Sequence, residues 1–398
     1  MQTSKFVKRI SALTFLGVLL LAAAVLIGCG SSSSGVTRLL FVADSGNYRV
    51  LVYNAPFTTG ETASVALGQP GLTTGSQPLN VTATTINVPQ AVAVDIAGNL
   101  YVADAGNCRV LQFKPPFATG MAATLAVGQA SGATNLTTNT CNATAAGLDG
   151  PEGIAFDSSG NVWVADGGND RVLMYPAPIT AGEAATVALG QTSTSASTGC
   201  NQGPPGTAPT ASTLCVPTQL AFDSTGNLWV VDESNGRVVM YPKANLVTGG
   251  AATVALGQAS LNSPRVFATT QNGMFTPFGV AFDSSGNLWV SDHANNRITQ
   301  FTPPFATGMN ASLVLGQATF TTSAAATTQS GLSLPLGIAF DSNGNLGVAE
   351  ETNDRTLVFT PPFTNGMNAS LVLGQANFTT ATFATTAAGQ GDPHDVTF

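Results

Sequence analysis

Short apolar runs alternate with polar turns along the chain. In the segment that begins at Pro277 the runs are GVAFD, NLWVSD, RITQF and ASLVLG. Each is rich in β-branched and aromatic residues, a pattern typical of β-strands. The sequence DSSGN lies between the first two runs and predicts a tight hairpin turn. Because no run of helical length and periodicity follows residue 28, the pattern predicts an all-β protein.

The four runs recur as a unit of roughly 60 residues. Full copies begin at Pro89, Pro151, Pro217, Pro277 and Pro335. Another copy, at residues 39–69, lacks the opening strand, and the final segment PHDVTF at 393–398 matches that missing strand. The sequence therefore predicts a six-bladed β-propeller of four-stranded blades. The C-terminal strand is expected to complete the first blade and close the ring.

Two charged positions recur in every copy: an acid ends the second strand and an arginine opens the third. The acids are Asp44, Asp104, Asp166, Asp232, Asp292 and Glu350. The arginines are Arg49, Arg109, Arg171, Arg237, Arg297 and Arg355. Their repetition indicates a structural role, as bidentate pairs across the hairpin or to the neighbouring blade. The asparagine two residues before each arginine is expected to cap the turn through backbone hydrogen bonds.

One aromatic position and one turn position also recur. The aromatic position holds Phe41, Tyr101, Trp163, Trp229, Trp289 and Gly347. We expect it to pack between blades, with a local gap at Gly347 and a carbohydrate platform as the alternative. The turn position holds Ser45, Ala105, Gly167, Glu233, His293 and Glu351. Because this position varies, we interpret His293 as a turn residue, with a ligand role as the alternative.

The first strands of a propeller line its central channel. The position after the repeat proline holds Gln90, Glu152, Thr218, Phe278, Leu336 and His394, and the next holds Ala91, Gly153, Gln219, Gly279, Gly337 and Asp395. The candidate ligand-binding residues at the channel mouth are Gln90, Glu152, Gln219, His394 and Asp395. They lie on the face with the long variable loops, where a small polar ligand or a peptide end could bind. The alternative is a water-filled channel with an incidental polar lining.

The N-terminus has the pattern of a targeting segment. Lys5, Lys8 and Arg9 precede an apolar run that ends at Cys29. The sequence LIGC resembles the lipobox of bacterial lipoproteins, which implies a signal peptide at 1–28 and lipidation of Cys29. Residues 29–37 then form a tether, and 38–398 form the propeller. Gly30 after the cysteine implies the outer membrane in a Gram-negative cell.

Charge and cysteine content narrow the choice of partners. After residue 28 the chain has 10 Lys and Arg against 21 Asp and Glu, a net charge of −11. Without a basic stripe, nucleic-acid binding is not expected. Four cysteines in an exported protein indicate disulfides. Cys108 and Cys141 fall on one face, and Cys200 and Cys215 share one loop. We therefore predict the pairs Cys108–Cys141 and Cys200–Cys215.

The motif D-x-x-N-x-R-V, repeated along residues 36–398, resembles NHL repeats, which build six-bladed propellers. The loops between each Gly-Gln and the next proline are longer than in compact NHL domains, so the resemblance implies nothing about the loop face. Some similar propellers are enzymes. One is a peptide-amidating lyase with a histidine-ligated zinc, and others are lactonases that hold calcium through Glu, Asn and Asp.

This chain has two histidines, and Glu152 with Asp395 offers few of the six to eight oxygens that calcium prefers. We predict no cofactor, with calcium as the alternative. The leading hypothesis is a noncatalytic, lipid-anchored, extracytoplasmic scaffold, a monomer that binds an envelope protein or a small ligand. The alternative is a metal-dependent lyase or lactonase at the channel mouth.

Overall fold

The computed structural model of the protein describes residues 38–129 and 135–398. The predicted signal peptide at 1–28, the lipidation site Cys29 and the tether at 29–37 lie outside the described residues. Within the described part of the chain, no helix combines the length and apolar character needed to cross a bilayer. The regular structure is almost entirely β, as the strand pattern predicts.

The described residues form 24 strands in six four-stranded antiparallel sheets. Blade 1 contains β1 (Leu39–Asp44), β2 (Arg49–Asn54) and β3 (Val65–Leu67). Blade 2 contains β4 (Pro89–Val94), β5 (Leu100–Asp104), β6 (Arg109–Phe113) and β7 (Leu125–Val127). Blade 3 contains β8 (Pro151–Phe156), β9 (Val162–Asp166), β10 (Arg171–Tyr175) and β11 (Val187–Leu189).

The second half of the ring repeats this plan. Blade 4 contains β12 (Pro217–Phe222), β13 (Leu228–Asp232), β14 (Arg237–Tyr241) and β15 (Val254–Leu256). Blade 5 contains β16 (Pro277–Phe282), β17 (Leu288–Asp292), β18 (Arg297–Phe301) and β19 (Leu313–Leu315). Blade 6 contains β20 (Pro335–Phe340), β21 (Leu346–Glu350), β22 (Arg355–Phe359) and β23 (Leu371–Leu373), and β24 (Pro393–Thr397) follows it.

Short 3-10 helices occupy many of the turns. Those between second and third strands are Ser45–Asn47, Ala105–Asn107, Gly167–Asn169, Glu233–Asn235 and His293–Asn295. Others lie at Asn135–Thr137, Cys200–Gln202 and Lys243–Asn245. We call the face with the second-to-third-strand turns and the interblade loops the loop face. The opposite face, with the other turns, is the hairpin face.

The C-terminal strand closes the ring, as the sequence predicts. Blade 1 has the order β24-β1-β2-β3, and Val396 lies opposite Val42 in the antiparallel register. The contact continues beyond the strands, because the Gly46 N–H donates to the Gly391 carbonyl at 2.9 Å. The edge of β1 is therefore paired instead of exposed.

The first strands of neighbouring blades contact one another around the axis, in the ring order β24, β4, β8, β12, β16 and β20. In every blade the register between the first two strands shifts just after the repeat proline. Such a bulge changes the direction in which the side chain after the proline points. Glycines at the next position, such as Gly153, let the neighbouring first strand approach, since a Cβ there would collide with the Thr218 carbonyl.

Each repeat arginine is a buried hub that joins its hairpin to interblade loops. Arg109 Nε donates to Asp104 Oδ2 at 2.7 Å, and both side chains are fully buried. Arg109 Nη1 donates to the Leu136 carbonyl in the following loop, and Nη2 donates to the Thr82 and Thr85 carbonyls in the preceding loop. The pairing occurs across the hairpin, which is one of the two expected arrangements. The expected bidentate fork is wrong, because the two Nη groups bind loop carbonyls instead.

The repeat asparagine does not cap its own turn, so that expectation is also wrong. In blade 3, Asn169 Nδ2 donates to Asp166 Oδ2 at 2.9 Å and to the Asn142 carbonyl at 3.2 Å. The turn that contains it has no side-chain cap hydrogen bond. The asparagine thus links the ion pair to the preceding loop, because the buried carboxylate has lone pairs that the arginine does not occupy.

The aromatic position packs between blades, as expected. Trp163 meets Phe222 of the next blade edge-on at 5.8 Å between ring centroids, and its indole N–H donates to Asp157. All three tryptophans are buried, so they do not offer a carbohydrate platform. The gap expected at Gly347 is not seen, because Phe398 and Val396 of the closing strand lie against it.

The structure forms both expected disulfides, Cys108–Cys141 and Cys200–Cys215. The first connects the second-to-third-strand turn of blade 2 to the following loop. The second closes a short loop before blade 4, with a sequence separation of 15 between its cysteines. Both restrain segments of the loop face, and such cross-links reduce the freedom of the unfolded chain.

We predict that Val396→Asp destabilises the protein strongly. Val396 is 2% exposed and packs with Val42 and Leu373, so the variant buries a charge without a partner. Chemical denaturation should show a loss of about 3 kcal/mol or more. Val247→Asp is the matched control, because Val247 is 55% exposed on the hairpin face. An equal effect of the two substitutions would contradict the closing role of β24.

The buried ion pairs are the basis of a second prediction. Arg237→Ala leaves the Asp232 carboxylate buried without its charge partner, and the loss of stability should be about 3–5 kcal/mol. Arg265→Ala, at an exposed arginine of the loop face, should cost less than about 1 kcal/mol. Urea unfolding of both variants measures the difference. If Arg237→Ala costs no more than the control, the arginines do not act as hubs.

Candidate functional site

Two positions of each blade meet over the channel mouth. In blade 3 the Glu152 side chain lies against the turn residue Gly167, where a Cβ would be 3.1 Å from Glu152 Oε1. In blade 5 the rings of Phe278 and His293 are 6.5 Å apart. The first residue of the second-to-third-strand turn therefore lies beside the residue that follows the repeat proline. We call the titratable residues at these two positions, together with Asp392 before the last repeat proline, the mouth cluster. They are Glu152, Glu233, His293, Glu351, Asp392 and His394.

His394 links the mouth cluster across blades. It comes from β24 of blade 1, yet its ring centroid is 6.1 Å from that of Phe278 in blade 5. Its charge also affects the pKa of Glu152 in blade 3 and the pKa of Glu351 in blade 6. His394 Nε2 lies 3.4 Å from Asp392 Oδ1. The mouth is thus narrow enough for one side chain to interact with several blades.

Burial dominates the titration of Glu152, Glu233 and Glu351. It raises the pKa of Glu152 to about 7, and the nearby Glu233 raises it further while His394 lowers it. Burial also raises the pKa of Glu233 and the pKa of Glu351. For Glu351 the neighbouring Asp392 adds to this effect, and His394 opposes it. A cation in the mouth would favour the charged form of these carboxylates and relieve their mutual repulsion.

The pKa of His293 shifts in the opposite direction. Burial lowers it to about 4, whereas the nearby Pro335 carbonyl raises it in part and His394 lowers it further. The imidazole is therefore neutral near pH 7. His293 Nε2 lies 3.7 Å from Glu351 Oε2. A neutral ring beside acids does not add positive charge to the mouth.

Asp395 and Gln219 form the floor beneath the mouth cluster. Asp395 is 3% exposed, and its Oδ2 accepts the Val92 N–H at 2.9 Å. Its carboxylate occupies the space beside Gly337, where a Cβ would collide with it. Burial raises the pKa of Asp395 from 3.8 to about 7, while the Val92 N–H and the nearby Gln219 amide lower it in part. Because blades 1 and 4 are opposite each other in the ring, the floor spans the axis.

Several polar atoms around the mouth are buried and make no hydrogen bond of ordinary geometry. They are Gln90 Oε1, Gln219 Nε2, His293 Nδ1, Asp392 Oδ1 and His394 Nδ1. The Gln219 amide interacts with the Asp395 carboxyl and lowers its pKa, but its Nε2 makes no hydrogen bond of ordinary geometry. Buried polar atoms in proteins are nearly always paired, and an exception calls for an explanation such as a bound water or ion. Their concentration at one end of the axis indicates a place where a ligand or water completes the hydrogen bonding.

The backbone is strained at an equivalent position of most blades, at the rim of the mouth. The residue before each repeat proline has positive φ, including the β-branched Val88, Val216 and Thr276 at 54°, 51° and 49°. Such residues rarely adopt this conformation and keep it only where the surroundings hold them. One restraint comes from the preceding blade, since the Val216 N–H donates to Asp170 Oδ1 at 2.9 Å. The neighbouring blades therefore hold the rim in place.

The structure brings together four of the five predicted mouth residues. Glu152 and His394 interact in the mouth cluster, and Gln219 and Asp395 meet on the floor. Gln90 occupies the equivalent strand position in blade 2, and its buried Oε1 is unpartnered.

The mouth cluster includes four titratable residues that were not predicted as site residues, Asp392, Glu233, His293 and Glu351. The last three occupy the variable turn position, in three consecutive blades. That run of three is the signal that could have identified them. The interpretation of His293 as a turn residue is correct for the backbone but incomplete, because the side chain belongs to the mouth.

Metal-ligating side chains do not converge at the mouth in the part of the chain that the structure describes. The triplets whose ligand atoms lie within 4.8 Å of one another are two clusters in the interblade loops. One contains Cys108, Cys141 and Asp149, and the other contains Asp170, Cys200 and Cys215. The cysteines of both clusters are in disulfides, so they offer no thiolate. Neither set fits a calcium or zinc centre of the kind that the sequence resemblance implies.

The NHL repeat model matches residues 148–175 and 276–301, which lie in blades 3 and 5. The six-bladed ring shows that the chain is a β-propeller, and the two matched segments are similar to NHL repeats. No curated protein matches the sequence.

Solved structures resemble the fold at low sequence identity. A protein of unknown function from Bacteroides caccae is 11% identical, with a TM-score of 0.52 over 90% of this chain and 98% of that one. A chain in a nidogen–laminin complex is 14% identical, with a TM-score of 0.51 over 90% and 97%. A streptogramin B lyase is 13% identical, with a TM-score of 0.43 over 81% and 84%. The first two likenesses show the propeller fold alone.

Asp395 makes stability depend on pH, and Asp395→Asn should remove its contribution. The folded protein holds the Asp395 proton up to about pH 7, whereas an unfolded chain releases it near 3.8. Stability is therefore lost as pH rises between these values. The stability of the variant relative to the natural protein should increase from pH 5 to pH 7 and then level off, by on the order of a few kcal/mol at most.

Thermal or urea unfolding at pH 5, 6, 7 and 8 measures this difference. The matched control is Glu61→Gln, at a partly exposed acid of the hairpin face. An Asp395→Asn difference that stays constant across the four pH values would show that the carboxyl does not titrate in this range.

Proposed function

We propose that the protein is a noncatalytic binding propeller, lipid-anchored outside the cytoplasm, that holds a small polar ligand at its channel mouth. The observation that carries this proposal is the mouth itself. Polar side chains from blades 1, 3, 4, 5 and 6 meet above a floor that spans the axis, and several of their buried hydrogen-bonding atoms lack partners. Pockets that bind small molecules place a few convergent polar groups in a largely preformed concave site.

The geometry of the polar groups favours binding over metal-dependent catalysis. Glu152 and Asp395 were the candidate calcium ligands, but they lie in different layers, the mouth cluster and the floor. Asp395 Oδ2 is already held by the Val92 N–H. The histidines of the mouth have their Nε2 atoms 3.4 and 3.7 Å from carboxylate oxygens. This arrangement supports recognition of a ligand that donates and accepts hydrogen bonds.

The proposed anchor is compatible with an accessible mouth. Lipidation of Cys29 rests on the LIGC sequence and its basic and apolar flanks. The described chain starts at Arg38, whose side chain pairs with Asp341 in a first-to-second-strand turn at 3.1 Å. That turn belongs to the hairpin face, so the described chain begins on the face opposite the mouth.

A ligand panel tests the proposal. The mature protein in detergent, treated with EDTA, is screened by thermal shift and saturation-transfer NMR against amino acids, short peptides, sugars and carboxylates. We expect at least one class to bind, because a ligand at 100 times its Kd stabilises the folded state by about 2.7 kcal/mol. Glu152→Gln combined with His394→Ala should abolish the shift, whereas Glu183→Gln on the hairpin face should preserve it.

Two results would overturn the proposal. One is that no class binds, and the other is that every ligand binds the mouth variant as well as it binds the natural protein. Binding that appears only after stoichiometric calcium or zinc is added back to the EDTA-treated protein would instead support the metal-dependent alternative.

A further inference from the structure

We propose that the mouth recognises the free amino terminus of a peptide, a primary ammonium group with a carbonyl group beside it. This inference rests on the binding function proposed above and names its ligand class. It combines two observations on neighbouring first strands, where a Cβ on Gly153 would lie 3.0 Å from the Gln219 Cα. One is the acid Glu152, whose titration no lysine or arginine affects, and the other is a buried amide N–H donor without an acceptor of ordinary geometry.

The acids of the mouth cluster provide the ammonium site. Glu152 faces Gly167 of its own blade, Glu233 of blade 4 and His394 of blade 1, and no lysine or arginine contributes to its titration. Elsewhere in the cluster, Arg265 acts on Glu233. The six repeat arginines are committed to buried pairs, and Arg38, Lys114 and Lys243 lie on the hairpin face. Within the described chain, no lysine or arginine places its positive charge beside Glu152. A bound ammonium group would do so.

An unpartnered acceptor beside these acids suits one of the three N–H groups of an ammonium. His394 Nδ1 is buried without a hydrogen bond, and Nε2 of the same ring lies 3.4 Å from Asp392 Oδ1. In the tautomer that carries its proton on Nε2, Nδ1 is an acceptor. Because this contact needs an N–H donor, it favours a primary ammonium over a quaternary one, which has no hydrogen to donate.

Gln219 on the floor provides the second contact. It is 7% exposed, and its Nε2 has no hydrogen-bond acceptor of ordinary geometry. A metal ion cannot accept this N–H, and a simple alkylammonium cannot either. The carbonyl oxygen next to a peptide amino terminus can, and it lies within a few bonds of the ammonium nitrogen. An anionic ligand would satisfy Gln219 but would be repelled by the carboxylates of the mouth.

The pKa of Glu152 gives this recognition a pH dependence. An ammonium binds the carboxylate form, and below about pH 7 protons compete for Glu152. Affinity for a peptide amino terminus should therefore rise between pH 6 and the pH at which the peptide itself loses its proton, near 8. Glu233 and His394 are the other titratable groups that face Glu152. Substituting either of them checks whether the pH dependence of binding belongs to Glu152.

Four probes separate the parts of the proposal: alanyl-alanine amide, its N-acetyl derivative, n-butylammonium and propionate. Titration calorimetry or NMR on the mature protein in detergent with EDTA measures each Kd at pH 6.0, 6.75 and 7.5. We expect alanyl-alanine amide to bind at least about tenfold more tightly than the other three, since each of them lacks either the ammonium group or the carbonyl acceptor. Its affinity should rise with pH.

Variants assign the two contacts. Glu152→Gln should weaken alanyl-alanine amide about tenfold and flatten the pH dependence, while Gln219→Leu should reduce its advantage over n-butylammonium. Glu183→Gln is the matched control, and each variant must unfold at a temperature close to that of the natural protein. Should Gln219→Leu lower that temperature markedly, Gln219→Met provides a second, longer apolar replacement.

The outcomes separate this inference from the proposed function. Equal binding of the free and the acetylated dipeptide, or preference for propionate, overturns the amino-terminus assignment but leaves a binding mouth in place. Preference for n-butylammonium over the dipeptide overturns the role of Gln219. If none of the four probes binds while another class in the wider panel does, the function stands and this inference is wrong.

Discussion

The pairing of the last strand with the first is the constraint on which the rest of the structure depends. Without β24 the edge of β1 would present unpaired N–H and C=O groups, and blades 1 and 6 would share no first-strand contact. The same strand carries His394 and Asp395 into the centre of the ring. Closure therefore builds the scaffold and completes the site with the same residues.

The buried ion pairs explain how a chain with few charges can hold long loops in place. Each arginine loses its hydration in the interior, and this cost is offset by a carboxylate and several loop carbonyls that satisfy its N–H groups. Since these carbonyls belong to interblade loops, the pair links local hairpin geometry to the loop face. The variable turn residues of the blades then lie at the same level along the axis, around the channel mouth.

The fold is predictable from the sequence because it is a repeat. Six copies of one strand pattern reveal the blades, and the match between 393–398 and a missing strand reveals the closure. The cysteine pairs follow from the face on which each loop lies. These features depend on strand register and topology. The alternation of apolar and polar residues determines the register, because it fixes which side chains face the core.

The site was predicted less completely, for a physical reason. Comparison of the copies shows that His293 occupies a variable turn position, but it does not show that this turn lies beside the first-strand residue of the same blade. The contact of His394 with Phe278 crosses from blade 1 to blade 5, and no spacing within a repeat encodes such a contact. The roles of the arginine Nη groups and of the asparagine also depend on loops whose paths the repeat does not specify.

Amide hydrogen exchange of the segment 391–398 tests the central claim most directly. If β24 is an integral strand of blade 1, its hydrogen-bonded amides should exchange as slowly as those of β1, through opening of the whole ring. Exchange within seconds at neutral pH, at the rate of an unstructured terminus while β1 stays protected, would contradict the closed ring and the site built upon it.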